Sequence, residues 1–329
     1  MECQFPVKSG GQRGLRAVNA ISRRPLTKQS HSIPAKRETK TITFSTKLQE
    51  INLKLNTMKK QLLIIAAAII SLTLNACTFN FDGETLGNKT IKGNGTIVTQ
   101  NYNVTNFNTA SLSLPATVNF TVSSDYTCTV RVDENILECL DIKVEDNELI
   151  MKKSEKHKNT NLRTTEFVID ITAPSLENIN LAGSGTFNAL SPMDVKDLEV
   201  NVAGSGDVMF HKTLRVQKAS LNVAGSGSLT CNELLADKLD ANVAGSGDLS
   251  VKAGTVTKAE AEVAGSGDCD LYCNIDTLEA DIAGSGDIRA RVNGKLSYGI
   301  MGSGDIGYYG DPIVEGNKVG HAGVKRLGD

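Results

Sequence analysis

The sequence predicts an all-β fold, a parallel β-helix or β-solenoid with about 20 residues per coil, and two observations support this. The tripeptide Gly-Ser-Gly occurs seven times between Gly183 and Gly304, and successive first glycines are 21, 21, 20, 20, 19 and 18 residues apart. Apolar and polar residues alternate on both sides of each tripeptide, which is typical of strands with one buried face. A unit this short buries its inner face only by stacking on its neighbours, so the repeat indicates a solenoid.

We expect each Gly-Ser-Gly to form a sharp corner of the coil, because glycine reaches positive φ without a Cβ penalty and lets successive backbones stack closely. The falling interval predicts a cross-section that narrows toward the C-terminus. The predicted corner residues are Gly183, Gly185, Gly204, Gly206, Gly225, Gly227, Gly245, Gly247, Gly265, Gly267, Gly284, Gly286, Gly302 and Gly304.

The part of the chain before the repeat resembles an export signal preceded by an extension. Residues 1–57 are basic and show no periodicity, and we interpret them as a disordered extension that arises from a misassigned start; a genuine extension is the alternative. Met58, Lys59 and Lys60 precede an apolar run over residues 62–74, too short to span a bilayer but suited to a secretory signal.

The run ends in Leu-Asn-Ala-Cys at residues 74–77, which resembles the lipobox of bacterial lipoproteins. The resemblance implies that residues 58–76 are a lipoprotein signal peptide and that Cys77 is lipidated. The alternative is a buried core helix that ends at an ordinary cysteine. We interpret residues 77–104 as the lipid anchor and a tether, and residues 105–327 as the solenoid domain. Its irregular first half is predicted to cap the open end of the sheets.

Three features together resemble the head GIN domain family, whose members are called "putative auto-transporter adhesins" and are common in Bacteroidetes. These are the irregular stretch at residues 141–150, the Ala-Gly-Ser-Gly-Asp ladder and the Tyr-Tyr-Gly-Asp-Pro ending at residues 308–312. The resemblance covers about residues 105–327 and implies a right-handed β-helix with an adhesive role. The chain departs from the family pattern at residues 319–325, where a last Ser-Gly-Ser-Gly corner is missing.

The charge distribution argues against nucleic acid as a partner. Residues 1–57 carry 11 Lys and Arg and 3 acids, and residues 58–76 carry 2 Lys and no acid, which leaves 22 basic and 34 acidic residues over residues 77–329. A net charge of about −12 on this part repels phosphate backbones and anionic headgroups.

Two polar columns follow the repeat. Carboxylates stand after the last four corners, at Asp248, Asp268, Asp287 and Asp305; neighbours ~4.8 Å apart repel by roughly 1 kcal/mol in water. A divalent cation would relieve this repulsion, but we favour carboxylates that accept amide hydrogens in their own turns, and we predict no metal and no cofactor. The second column is predicted to form an amide ladder of Asn180, Asn201, Asn222 and Asn242, or less readily a sugar-binding face, for which it has no aromatic platform.

The cysteines and basic residues suggest no catalytic centre. We expect the five cysteines after Cys77 to be buried free thiols, although a disulfide between Cys128 and Cys139 stays open. An enzymatic β-helix that cleaves acidic polysaccharides needs a base beside clustered carboxylates. Neither the group of His211, Lys212 and Arg215 nor the pair of Arg289 and Arg291 is predicted to have such a cluster.

These observations predict an exported, lipid-anchored, non-catalytic β-helix of the cell envelope. It would be an outer-membrane lipoprotein, facing the periplasm or the cell surface, with the membrane as one partner through Cys77 and host or envelope glycans or proteins as others. The alternative is a carbohydrate-active β-helix, either a polysaccharide lyase or a glycan-binding protein.

Overall fold

The structure is a computed structural model that describes residues 89–328. It contains two short 3-10 helices, Glu134–Cys139 and Glu155–His157. The 22 strands are β1 (Thr90–Lys92), β2 (Ile97–Tyr102), β3 (Thr109–Leu112), β4 (Thr117–Val122), β5 (Thr127–Asp133), β6 (Leu140–Glu145), β7 (Glu148–Lys153), β8 (Asn161–Arg163), β9 (Phe167–Ala173), β10 (Asn178–Gly183), β11 (Thr186–Ala189), β12 (Met193–Asp194), β13 (Asp197–Gly204), β14 (Asp207–Gly225), β15 (Ser228–Gly245), β16 (Asp248–Val251), β17 (Gly254–Gly265), β18 (Cys269–Gly284), β19 (Ile288–Gly302), β20 (Ile306–Tyr309), β21 (Ile313–Gly320) and β22 (Val324–Gly328).

These strands form a β-solenoid of about eight turns with roughly 20 residues per coil, which confirms the predicted fold class. The segments that run into each corner stack in parallel as one sheet, here called the pre-corner face. The segments that leave each corner stack as the post-corner face. Because the register matches residue for residue, one position of the repeat becomes a straight column along the solenoid.

The corner glycines serve two physical roles. The first glycine of each corner has positive φ, from 109° at Gly183 to 148° at Gly284. The second glycine has no positive φ but lies against the coil before it, since a Cβ on Gly247 would stand 2.3 Å from the backbone oxygen of Gly227. At the first glycine, the backbone conformation disfavours any side chain. At the second glycine, the close approach of the preceding coil leaves no room for one.

The core is a set of apolar columns that run along the solenoid. Large rings fill the early coils, where Phe120 and Phe187 pack with their centroids 6.4 Å apart. In the later coils one pre-corner column changes from Val200 and Leu221 to Ala241 and Ala261, all fully buried.

Much of the N-terminal cap is formed by a long insertion between β3 and β10. β3 and β10 are register neighbours although their paired residues Thr109 and Asn178 are 69 positions apart. In the intervening chain, β6 pairs antiparallel with β7, and β5 pairs antiparallel with both β2 and β9. Antiparallel strands, rather than further parallel coils, thus cover this end of the solenoid.

Two strands of the cap come from the segment interpreted as anchor and tether. β1 pairs with β8 and β2 pairs with β5, so residues 89–104 belong to the fold. The buried carboxylate of Asp133 holds this segment in place, because it accepts hydrogen bonds from the backbone N–H groups of Gly95 and Thr165. Burial opposes ionisation of Asp133, but these hydrogen bonds outweigh it and lower the pKa of the carboxyl group.

The final coil forms despite its departure from the family pattern. Gly320 pairs in register with Gly302 and has a φ of 119°, while Ala322 takes the position of the second corner glycine and is buried. Lys318 stands in register with the core residue Ile300, and its Nζ donates to the backbone oxygen of Ala322 at 2.7 Å. A lysine thus ends an apolar column.

Candidate interaction surface

The pre-corner face carries the predicted amide ladder. Each Nδ2 donates to the Oδ1 of the preceding asparagine, at 3.0 Å from Asn201 to Asn180, 3.0 Å from Asn222 to Asn201 and 2.8 Å from Asn242 to Asn222. Asn180 in turn donates to the Oγ of Ser111 at 3.1 Å. The ladder is therefore confirmed, and its amide groups are used within the chain.

The ladder ends at Glu262, which stands in register with Asn242. One carboxylate oxygen, Oε2, is buried with no hydrogen-bond partner. Burial first, and then the nearby carboxylates of Asp281, Glu260, Glu279 and Asp240, raise the pKa of Glu262 to about 7. The column thus changes from hydrogen-bonded amides to a half-buried acid.

The aspartates after the corners accept amide hydrogens from the next coil. The backbone N–H of Asp268 donates to Oδ1 of Asp248 at 3.2 Å, that of Asp287 to Asp268 at 3.0 Å and that of Asp305 to Asp287 at 2.9 Å. We expected the acceptor to serve its own turn; instead it links neighbouring coils. Within residues 89–328 no group of three or more His, Cys, Asp or Glu side chains is arranged to hold a metal ion.

Arg289 lies among three carboxylates, two of them from these post-corner aspartates, contrary to the expectation that it has no acid cluster. Its guanidinium contacts Asp268 at 3.2 Å, Asp270 at 3.0 Å and Asp287 at 3.4 Å. Burial lowers the pKa of Arg289, but Asp270 and Asp268 outweigh it, so the pKa is raised above its ordinary value. The group stays protonated and cannot serve as a general base.

Beside this network lies a partly exposed group that we call the tyrosine-arginine patch, formed by Tyr272, Arg291 and Tyr309. The two tyrosine rings have their centroids 6.3 Å apart and inclined at 58°, and the guanidinium carbon of Arg291 is 5.3 Å from the centre of the Tyr309 ring. Tyr272 is 37% exposed. A cation over an aromatic ring holds both side chains in place, so the patch offers an ordered surface on a rigid sheet.

The tyrosine-arginine patch was not among the sites predicted from the sequence, although the spacing of its residues is visible there. Arg291 follows Tyr272 by 19 residues, and Tyr309 follows Arg291 by 18 residues. The Gly-Ser-Gly corners in this part of the chain have the same two spacings. They therefore occupy one position of the sequence repeat, although the strand register shifts between Leu271 and Asn274, so that Arg291 pairs with Asn274 and Tyr309 pairs with Arg291. Aligning the post-corner residues coil by coil would have shown the column.

The other candidate residues do not assemble into a catalytic centre. His211 contacts the amide oxygen of Asn188 at 3.0 Å, and Arg215 contacts Asp194 at 3.6 Å. Burial raises the pKa values of the Cys128 and Cys231 thiols to about 12. All five described cysteines, Cys128, Cys139, Cys231, Cys269 and Cys273, are buried free thiols, as expected.

Several predicted features lie outside the described residues, namely the extension 1–57, the signal peptide 58–76 and the lipidated Cys77. Within residues 89–328, no helix is long and apolar enough to cross a membrane.

The fold and surface define the class of protein, a parallel β-solenoid with an N-terminal cap, polar ladders outside and an apolar core. The sequence profile described as "Putative auto-transporter adhesin, head GIN domain" matches residues 106–232 and 205–312. The chain belongs to this head GIN domain family, as the sequence analysis predicted.

Solved structures are similar over the same region. A "Putative lipid binding protein" from Parabacteroides distasonis is 31% identical with a TM-score of 0.70, and the match covers 73% of this chain and 100% of that one. A "putative adhesin" from Parabacteroides merdae is 26% identical with a TM-score of 0.68, covering 73% and 99%. A "putative adhesin" from P. distasonis, 24% identical with a TM-score of 0.69 and coverage of 73% and 100%, shows a similar fold. No curated protein matches the chain.

Proposed function

We propose that the protein is an exported, lipid-anchored module of the cell envelope that adheres to its ligand through the tyrosine-arginine patch and has no catalytic activity. The observation that carries the proposal is the contact of exposed Tyr272 and partly exposed Arg291 and Tyr309 on the outside of the sheet. Tyrosine and arginine are the residue types that dominate binding energy at interfaces. Membership in an adhesin-like family supports a place in the cell envelope or at the cell surface.

The ligand classes we propose are glycans and proteins that contact the outer surface. One similar structure is described as lipid-binding, but the core columns of this solenoid are filled by fully buried side chains such as Leu221, Ala261 and Ile288. An acyl chain would have to displace them. The outside of the post-corner face is therefore where we place the ligand.

The alternative is a carbohydrate-active β-helix, and one observation favours its glycan-binding form. Tyrosine rings beside the fixed carboxylates of Asp268 and Asp270 offer both a stacking surface and hydrogen-bond acceptors. Lyase chemistry is disfavoured, because Arg289, the basic residue nearest to those carboxylates, is held protonated.

The patch is tested by binding to arrayed host glycans and immobilised matrix proteins. We expect Tyr272→Ala and Tyr309→Ala each to weaken the strongest signal by about tenfold or more, as for central aromatic residues of interfaces. Leu190→Ala is the matched control, since Leu190 is exposed and apolar but lies near the other end of the solenoid. Equal binding by all four proteins would place the ligand elsewhere.

Lipid anchoring is tested at Cys77. In a native host, Cys77→Ser should abolish labelling by a radioactive or clickable fatty acid and move the protein from the membrane fraction to the soluble fraction. Cys128→Ser, at a buried thiol of the fold, is the control and should keep its label. A labelled, membrane-bound Cys77→Ser protein would refute the anchor.

A further inference from the structure

The strand β21 is an open edge of the pre-corner face. It pairs in parallel with β19 on one side, and within residues 89–328 no strand pairs with its other side. All of its eight residues are exposed. Edge strands of this kind present unpaired backbone N–H and C=O groups that can pair with another chain.

The two ends of the solenoid differ. At the N-terminal end, the antiparallel strands β2, β5 and β6 extend beyond the parallel coils and cover the first of them. At the other end, the described residues include no element beyond β21 and β22. Stacked-repeat proteins generally require both terminal units to be capped, and residues 89–328 supply no counterpart of the N-terminal cap at this end.

The side chains of β21 divide into two rows. The inward row is Val314, Gly316 and Lys318, which stand over Leu296, Tyr298 and Ile300. Position 316 accommodates glycine only, because a Cβ there would lie 2.2 Å from the backbone oxygen of Tyr298. The outward row is Ile313, Glu315, Asn317 and Val319. Its two ends are the most exposed large apolar residues of the described chain, at 67% for Ile313 and 63% for Val319.

The outward row is symmetric about Gly316, with a polar residue on each side and an apolar residue beyond it. When two copies of an edge strand are related by a twofold axis perpendicular to the sheet, they run antiparallel. Residues at equal distances on the two sides of the central residue then face each other. With Gly316 on that axis, Ile313 faces Val319 of the second copy and Glu315 faces Asn317 of the second copy. No like charges are opposed, and Glu315 is already paired with Lys295 of its own chain at 2.9 Å.

We propose that two copies of this chain associate through antiparallel pairing of β21 about Gly316, which joins their pre-corner faces end to end. Backbone hydrogen bonds along the edge supply the pairing, and the two contacts between Ile313 and Val319 remove exposed apolar surface from water. The second copy thereby provides the missing cap. The proposal does not depend on the adhesive function.

Sedimentation and light-scattering measurements on the purified full chain test the proposal. The wild type should have twice the mass of one chain of the purified protein at micromolar concentration. The double variant I313K/V319K places lysine opposite lysine at two points, and we expect it to be monomeric. The double variant I313E/V319K places glutamate opposite lysine at the same two points, and we expect the dimer to return.

The charge exchange distinguishes this register from association driven by apolar surface alone, because both double variants replace the same exposed residues. Leu190→Lys, at an exposed apolar residue elsewhere, controls for a general loss of surface hydrophobicity and should stay dimeric. Circular dichroism melts of the monomeric variant confirm that it is folded. A monomeric wild type, or equal behaviour of the two double variants, would overturn the proposal, as would pairing of β21 with residues 1–88 or with a different protein.

Discussion

Replacing Gly245 with valine should lower the melting temperature of the protein by roughly 10 °C. Gly245 has a φ of 125°, where a β-branched residue is a steric outlier. A Cβ there would also lie 2.5 Å from the backbone oxygen of Gly225 in the preceding coil. Strain at a left-handed position and displacement of a packed neighbour together cost about 3–5 kcal/mol. Thermal unfolding followed by circular dichroism measures the change.

Two further variants show whether the damage arises from the stacked corner. Ser246→Ala removes only a hydroxyl group and should be mild. In Gly302→Val, the new Cβ would lie 2.0 Å from the backbone oxygen of Gly284, which is at least as close as the contact at Gly245. Only the final coil follows Gly302, however, and this coil can shift to relieve the contact. We therefore expect a smaller decrease in melting temperature than at Gly245, since a nearest-neighbour stack is weakened most when it is interrupted in the middle. Small and equal shifts at Gly245 and Gly302 would mean that the corner is a loose surface loop.

The solenoid could be predicted because its information is local and repeated. Each Gly-Ser-Gly marks a corner, and each alternation marks which side chains are inward, so the amino-acid pattern alone assigns residues such as Val223 and Val243 to the core, where they lie. The amide ladder follows from the same step, since Asn222 and Asn242 occupy one position in consecutive coils. Because the period is nearly constant, residues one period apart in the sequence are neighbours in adjacent coils.

The cap and the arginine network could not be predicted in the same way. The pairing of β5 with β2 and β9 has no repeat that fixes its register. Residues 89–104 were therefore assigned to the tether rather than to the fold. The three carboxylates that contact Arg289 come from two coils. Two of them, Asp268 and Asp270, belong to the preceding coil. Such contacts depend on side-chain directions across coils, which the spacing of glycines does not specify.

The replacement Glu262→Gln should stabilise the protein at alkaline pH. A carboxylate at this position cannot donate a hydrogen bond to the Oδ1 of Asn242, whereas a glutamine amide or a protonated carboxyl group can, and would extend the ladder by one step. The charged form is also disfavoured by burial first and then by the surrounding acids. Two of those acids, Asp240 and Glu260, are paired with Lys238 at 3.0 Å and Lys258 at 2.8 Å.

The sign of the pH dependence follows from the raised pKa. With a folded-state pKa of about 7 and an ordinary value of 4.5, the folded protein binds more protons than the unfolded chain between these values. The contribution of Glu262 to stability is therefore fully present below pH 4.5 and is lost as the pH rises through 7. At pH 8 the loss amounts to about 1–2 kcal/mol after allowance for solvent screening of a half-buried group.

Melting temperatures of the wild type and Glu262→Gln at pH 4 and pH 8 test this account. The variant should melt at nearly the wild-type temperature at pH 4 and about 4 °C higher at pH 8. Glu260→Gln is the matched control: its carboxylate lies two residues away and is ion-paired with Lys258, so its removal should give no comparable gain at pH 8. A gain of the same size at both pH values would show that glutamine simply packs better there, and no gain at pH 8 would show that the carboxylate is adequately solvated. Either result would refute the explanation that the charged, buried carboxylate of Glu262 destabilises the protein at pH 8.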